Sequence, residues 1–334
     1  MRSGDMTGLR TDDFDFTLPE ELIASRPAEQ RDASRMLVIN RAEQTITHAQ
    51  FKDIQQYLAP DDLLVLNNTR VVRARYFSDD GAIELVRVAK ESPTLWRSMV
   101  RPGKKMKVGR EVVVGGVKGV VREIDEEGYR VIEWDSEIDE EKSGQLALPH
   151  YMQRDAEDAD FERYQTVFAE EEGAIAAPTA GLHFTPELLA QLNHTFLTLH
   201  VGVGTFRPVK ADYVEDHEMH SEQYMLSQAT AEKINQAGRV VAVGTTVTRT
   251  LEHIGQSQPK GAIEADSGST NIFIYPPYQP KVVDALITNF HLPKSSLMML
   301  VSSFAGRELI MEAYHQAIEQ EYRFYSYGDC MLII

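Results

Sequence analysis

The chain has 334 residues, enough for two domains of ordinary size, and its 43% hydrophobic and 25% charged residues are those of a water-soluble globular protein. A net charge of −17 argues against a generic nucleic-acid binder, no apolar run reaches membrane-spanning length, and Met1 to Arg10 lacks the apolar core of a signal peptide, so it reads as a loose leader with Met6 as an alternative start. Cys330 is the only cysteine, which rules out an intramolecular disulfide and makes the reducing cytoplasm the expected setting.

Residues 14–70 mix helix and strand signals. Asp61-Asp62 opens an apolar run, Leu63 to Leu66, that reads as a buried strand entering Asn67-Asn68-Thr69. Residues 71–148 read as mostly β. Val112 to Val114, a Gly115-Gly116 turn and Val117 to Val121 make a hairpin, and Tyr129 to Trp134 a further strand. This stretch predicts a small antiparallel barrel or sandwich, with the acidic run Ser136 to Gly144 as its exit linker. Charge is uneven here: residues 70–110 hold eleven Lys or Arg against four acids, whereas residues 121–172 hold 18 of the 51 acids. A basic patch can meet a phosphate backbone within a Debye length of ~8–10 Å, although charge alone reads as solvated surface.

Beyond Leu148 helices and strands alternate again. Thr185 caps a helix with Pro186 at its first position, running through Leu188, Leu189 and Leu192. Phe196 to Val203 alternates as a strand with Leu197, Leu199, Val201 and Val203 on one face and Phe196, Thr198 and His200 on the other. Arg239 to Val243 is a strand that enters a helix near Thr245-Thr246. Pro293 opens a helix through Leu297, Leu300 and Phe304, and Leu309 to Ile318 carries the apolar stripe of a last helix. The architecture expected is a mixed α/β (α+β) fold: a core domain built from residues 11–70 and 149–334, interrupted by an inserted all-β domain at 71–148.

Five of the ten histidines fall between residues 183 and 220, densest at His217-Glu218-Met219-His220-Ser221-Glu222. Two histidines three apart with Glu222 could ligate a metal, but the spacing lacks the two-His helical signature of zinc proteases, and no metal is expected. Each histidine alone reads as a structural, hydrogen-bonded side chain; as a group they suit proton transfer near neutral pH. His200 to Phe206 holds a Gly-x-Gly, but no third glycine follows and Pro208 stands where a helix should start, so Gly202 and Gly204 read as close backbone approach rather than a nucleotide turn. Val243 to Arg249 is a strand–turn–helix start that favours an anion, or is an ordinary capped helix. Ala177 to Phe184 is a loop of small residues closed by a His and a Phe that could stack on a base. Tyr322 to Asp329 sets four aromatics beside Arg323 and Asp329, either a purine platform with Asp329 reading amine groups or a C-terminal strand sealing the core.

At these residues the chain resembles the S-adenosylmethionine:tRNA ribosyltransferase-isomerase family of queuosine synthesis. The segments that carry the resemblance are Leu63 to Val71, Tyr164 to Val167, Ala176 to Phe184, Thr198 to Phe206, His217 to Glu222, Val243 to Thr246, Leu286 to Pro293 and Tyr322 to Asp329, in the family's order and spanning nearly the whole chain from Phe14. Departures stand at Arg73 and His150, where the family usually has Pro, at Pro277 and Pro280, and at the short segment Tyr76 to Gly81, which lacks the family's Lys and Gly-Gly step.

The resemblance implies a barrel-like α/β core with the β insertion, S-adenosylmethionine as co-substrate, and a tRNA carrying 7-aminomethyl-7-deazaguanine at the wobble position. The ribosyl group would move to the aminomethyl nitrogen and become an epoxycyclopentane, with adenine and methionine leaving. That chemistry needs several proton carriers, each worth ~10²–10⁴ in rate: His183, His200, His217, His220, Glu222 and His291 are the catalytic candidates. Thr179, Gly181, Phe184, Gly202, Gly204, Thr205, Gly244, Thr245, Thr246, Asn289 and Asp329 are the candidates for holding the co-substrate, and Asn68, Arg70, Arg101, Lys104 and Lys105 for holding RNA. The five histidines His183, His200, His217, His220 and His291 are expected to converge on one cleft with Glu222 and Asn289. A cytoplasmic monomer without metal or membrane partner is expected. The rival readings are an S-adenosylmethionine-dependent RNA methyltransferase, a non-catalytic RNA-binding protein and, third, a metal-dependent hydrolase.

Overall fold

The computed structural model describes residues 8–202, 204, 209 and 211–334. A nine-stranded sheet runs, in spatial order, through Asp266–Thr270, Glu222–Leu226, His194–Leu199, Asp62–Asn67, Arg239–Val243, Ala285–Asn289, Cys330–Ile333, Arg35–Asn40 and Thr45–Gln50. Its centre is parallel: Asp62–Asn67 pairs in parallel with His194–Leu199 and Arg239–Val243, and the latter with Ala285–Asn289.

The central strands are buried because the sequence gives them two apolar faces. All six residues of Asp62–Asn67 are buried. Successive side chains point to opposite sides, so Leu63 and Val65 enter one hydrophobic cluster while Leu64 and Leu66 enter the other. Arg239–Val243 repeats this division, with Val240 and Ala242 on one side and Val241 and Val243 on the other. The helix Thr245–Ile254 packs on the first side and is buried at nine of its ten positions. At the outer edge, Asp62 accepts a two-pronged ion pair from Arg239 and its carboxylate also caps the amide of Ala59 at 2.8 Å.

A second, six-stranded antiparallel sheet is built between Arg75 and Trp134. It closes nearly into a barrel: the amide of Asp79, just past the first strand, donates to the carbonyl of Val113 in the last at 2.8 Å. The Asp79 carboxylate accepts the amides of Gly115 and Gly116 at 2.7 and 2.9 Å, and both glycines have positive φ, as a two-residue hairpin turn requires. Its interior is filled by Tyr76, Trp96, Ile132 and Trp134. Gly119 is obligatory there, because a Cβ would sit 2.5 Å from the Trp134 ring.

The mixed α/β fold expected from the sequence is present, and the nearly closed barrel-like sheet is this six-stranded one. The short segment Tyr76 to Gly81 folds into a tight turn in which Asp80 accepts from Ser78 and Ala82 at 2.6 and 3.0 Å. Several boundaries differ from expectation. The acidic run after Trp134 is not a plain linker, since Asp139 caps a helical turn at Glu140–Ser143. The strand expected through Val203 ends at Leu199, and Val203 lies outside the described residues. The helix after Pro293 starts at Ser296, because the Ser295 side chain accepts the amide of Met298 and so fixes the first turn. Tyr322 to Asp329 is a turn; the strand follows it at Cys330–Ile333.

Candidate active site

The four central strands share a direction, so their carboxyl ends open on one side of the sheet, where open α/β sheets bind ligands. Val201, Gly244-Thr245-Thr246 and Thr288 to Leu292 follow those ends. Together with Ala176 to Ala180, Tyr151, Tyr325 and the helix start at Ser295 to Leu297, they line a cleft that is largely apolar. Five of its polar side chains come from candidates named above: Thr179, Thr245, Thr246, Asn289 and His291.

Asn289 ties this cleft to His183. Its amide nitrogen donates to His183 Nε2 at 3.1 Å and to the carbonyl of Tyr325 at 3.2 Å. Those two acceptors set the amide's orientation, so His183 carries its proton on Nδ1 and donates it to Ser34 Oγ at 3.0 Å, which in turn donates to the Arg31 carbonyl. Asn289 Oδ1 is left buried with no hydrogen-bond partner among the described residues, as is Thr246 Oγ1. Most buried polar atoms in folded proteins have a partner, so these two, both in residues that line the cleft, leave hydrogen-bonding capacity for a ligand or water there. Burial, with a smaller push from Arg31, lowers the His183 pKa to about 4, and burial lowers that of His291 to about 3. Both rings are therefore neutral at pH 7. His291 Nε2 is engaged with Thr288 Oγ1 at 3.0 Å.

A second cleft adjoins the first, sharing Ser296 and Leu297 with it. It lies between the two sheets: Val88 and Arg97 come from strands of the six-stranded sheet, Glu127 and Tyr129 from the turn before its strand Arg130–Trp134, and Gly202, Gly204, His217, Met219, His220, Ser221, Glu222 and Arg249 face them. Here the side chains are charged. Glu222 and Arg249 form a buried ion pair, and Glu222 Oε1 also accepts the amide of Gly202 at 3.3 Å. Gly204 is required by its neighbour, since a Cβ there would lie 2.6 Å from the His220 ring. Gly204 thus serves close packing, as expected, whereas a Cβ on Gly202 would meet nothing within 4 Å among the described residues, so that glycine is not explained by close approach. His217 stands edge-on to Phe273 at 5.2 Å and has its pKa lowered by partial burial and by His220.

The histidines expected in one cleft are divided. His291 lines the apolar cleft, His217 and His220 the charged one, and His183 stands behind Asn289. His200 is in neither. Its Nδ1 meets Thr69 Oγ1 at 2.8 Å, its ring packs on Gly173, and it lines a separate groove with Glu171, Thr198 and Ser267 to Ser269. His200 keeps the face it shares with Thr198, and that face opens on this groove rather than on the clefts at the strand ends. Phe184 is no open stacking platform, being fully buried against Phe51 at 4.9 Å. Gly181 is likewise buried. Asp329 does not read a ligand amine: its two oxygens accept the amides of Arg35 and Arg323, each at 2.8 Å, latching the C-terminal turn. Thr205 lies outside the described residues.

Among the RNA candidates, Arg101, Lys104 and Lys105 are exposed at the turn Gly103–Lys105. Arg70 is exposed and donates to the Ala169 carbonyl at 2.6 Å, and Asn68 accepts from Thr198 at 2.7 Å. Sequence reasoning passed over Arg249 as the partner of Glu222, and Tyr151, which packs on Tyr325 at 4.4 Å beside the apolar cleft. An Arg four residues into a helix behind Thr245-Thr246 was the available signal for the first; Tyr151 had none. Among the described residues no three His, Cys, Asp or Glu side chains gather as a metal would require, and no helix is long and apolar enough to cross a membrane.

Fold and site together define an α/β protein with a composite ligand site, an apolar slot at the ends of parallel strands continuing into a charged cleft roofed by a second sheet. Residues 11–333 match the queuosine biosynthesis protein family. The crystal structure of an S-adenosylmethionine tRNA ribosyltransferase from Thermotoga maritima is similar, at 38% sequence identity, covering 96% of this chain and all of that one, with a TM-score of 0.57. The chain belongs to the queuosine biosynthesis protein family.

Proposed function

We propose that this chain transfers the ribosyl group of S-adenosylmethionine to the aminomethyl nitrogen of 7-aminomethyl-7-deazaguanine at the tRNA wobble position. The transferred group rearranges to an epoxycyclopentane, giving epoxyqueuosine, and adenine and methionine leave. The observation that carries this reading is the pair of adjoining clefts of opposite character, in a chain 38% identical to a tRNA ribosyltransferase over 96% of its length. A purine suits the apolar slot, where Asn289 Oδ1 waits for a donor such as an exocyclic amine.

The proton chemistry belongs to the charged cleft. The sulfonium acidifies the neighbouring 5′ carbon, so a base must stand near it, and the attacking amine must be neutral. His217 and His220 are half-buried there, and the lowered pKa of His217 keeps its ring neutral and able to accept a proton at pH 7. His183 and His291 remain neutral down to acid pH and serve as hydrogen-bonding groups. The exposed Arg70, Arg101, Lys104 and Lys105, with Asn68, are the groups assigned to RNA. The reading calls for no metal and for a cytoplasmic monomer.

Incubation of the protein with S-adenosylmethionine and precursor-bearing tRNA tests this. Chromatography should show adenine and methionine released in equal amounts, and mass spectrometry should show the epoxyqueuosine nucleoside. Accumulation of S-adenosylhomocysteine would make the protein a methyltransferase instead, and tRNA binding with no released product would make it a binding protein.

A further inference from the structure

Arg249 is a buried guanidinium that lines the charged cleft with one nitrogen unpaired among the described residues. Its side chain is 6% exposed; Nε donates to the Ile272 carbonyl at 3.2 Å and Nη1 pairs with Glu222 at 2.5 Å. Nη2 is buried and has no hydrogen-bond partner among the described residues, although Arg249 lines the charged cleft. A guanidinium buried with one prong empty is costly unless something anionic completes it. We propose that Arg249 receives the carboxylate of an α-amino acid head group, the methionine end of S-adenosylmethionine, within the charged cleft. This rests on the reading of S-adenosylmethionine as the co-substrate.

Two features choose a carboxylate on a zwitterion over a phosphate. Among the described residues the cleft presents two arginines, Arg97 and Arg249, and two carboxylates, Glu127 and Glu222. A phosphate would face both carboxylates, whereas a head group with one ammonium and one carboxylate meets a balanced field. Depth decides the same way, since a backbone phosphate on a polyanionic strand cannot easily reach a nearly buried guanidinium. The helix Thr245–Ile254 supplies the register: Thr245 and Thr246 line the apolar cleft, and Arg249, about one turn or ~5.4 Å further along, lines the charged one. One helix thus addresses both ends of a ligand with a purine at one end and an amino acid at the other. Glu222 is then a positioning residue, holding the guanidinium while its other oxygen takes the Gly202 amide.

The test compares S-adenosylmethionine with its decarboxylated analogue by calorimetry. The wild-type protein should prefer the carboxylate-bearing ligand by roughly 10- to 100-fold, the worth of a charge-assisted hydrogen bond. Arg249→Met should lose that preference, and Arg249→Lys should keep part of it. Glu222→Gln should raise KM for S-adenosylmethionine more than it lowers kcat; a kcat loss at unchanged KM overturns the positioning role. Equal wild-type affinity for the two ligands overturns the proposal even where the Met variant does not fold. So does an Arg249→Met protein that still discriminates, or one whose only change is a smaller salt dependence of tRNA binding. Failure of the wild type to bind S-adenosylmethionine at all sinks the reaction as well; loss of discrimination alone sinks only this assignment.

Discussion

The two clefts differ in how they treat ionisable groups, although they share Ser296 and Leu297. Burial keeps His291 in the apolar cleft, and His183 behind its Asn289, uncharged, and neutral partners fix both: Asn289 and Ser34 for His183, Thr288 for His291. The charged cleft leaves His217 and His220 half-buried beside an Arg–Glu pair. The difference teaches that a histidine's surroundings, rather than its place in a dense run, decide whether its ring is locked among neutral partners or left beside charged ones.

The largest effect that would sharpen this contrast is kinetic. His217→Ala and His220→Ala are expected to lower kcat, at least one of them by ~10²-fold or more, with the melting temperature little changed. His183→Ala should instead lower the melting temperature, because it strands the Asn289 amide and the Ser34 hydroxyl. Turnover and melting curves on the same three proteins decide it, and a His183 variant that melts normally but does not turn over would erase the distinction.

A thermodynamic effect comes next. His183 and His291 have folded pKa values of about 4 and about 3, below the unfolded value of about 6.5. The unfolded chain therefore binds more protons below pH 6.5, and stability falls as pH drops from there toward 4. Each group should cost on the order of 2–3 kcal/mol across that window. Denaturant melts between pH 7 and 4 should show the slope, and His291→Gln should flatten it. An unchanged slope in that variant would mean that the ring is not buried neutral.

The smallest effect concerns the unpaired acceptor of the apolar cleft. Asn289→Ala should weaken inhibition by the product adenine by ~10-fold or less, the net worth of one hydrogen bond. Hypoxanthine, which lacks the exocyclic amine, should inhibit wild type and variant alike. Equal losses for both bases would place Oδ1 away from the purine.

Much of the fold was legible because it rests on local rules. The run Leu63 to Leu66, the hairpin turn at Gly115-Gly116 and the Thr185-Pro186 helix start each combine a periodicity with a stop signal that needs no distant partner. The apolar cleft was half legible, since Thr179, Gly244 to Thr246 and Asn289 all follow strand or loop ends. His200 was misread because it does lie on the same face as Thr198, but that face looks onto a separate groove with Glu171 and Ser267 to Ser269, which only the packing of neighbouring strands decides. Asp329 and Phe184 were misread because a carboxylate or an aromatic in a motif looks the same whether it meets a ligand or backbone amides and neighbouring rings.

By itself, then, the sequence determined the family, the mixed α/β class and the segments from which the site is drawn, because these depend on residue identity and short-range pattern. Only the tertiary structure decided that the histidines part into a buried set and a half-buried set beside charged groups, that Glu222 is committed to Arg249, and that Asn289 keeps a bare oxygen. Each of those depends on contacts between residues 27 to 149 positions apart and on the loss of water around them. Burial is what turns an imidazole into a fixed hydrogen-bonding group or leaves it free to exchange a proton, and burial is a property of the packed chain.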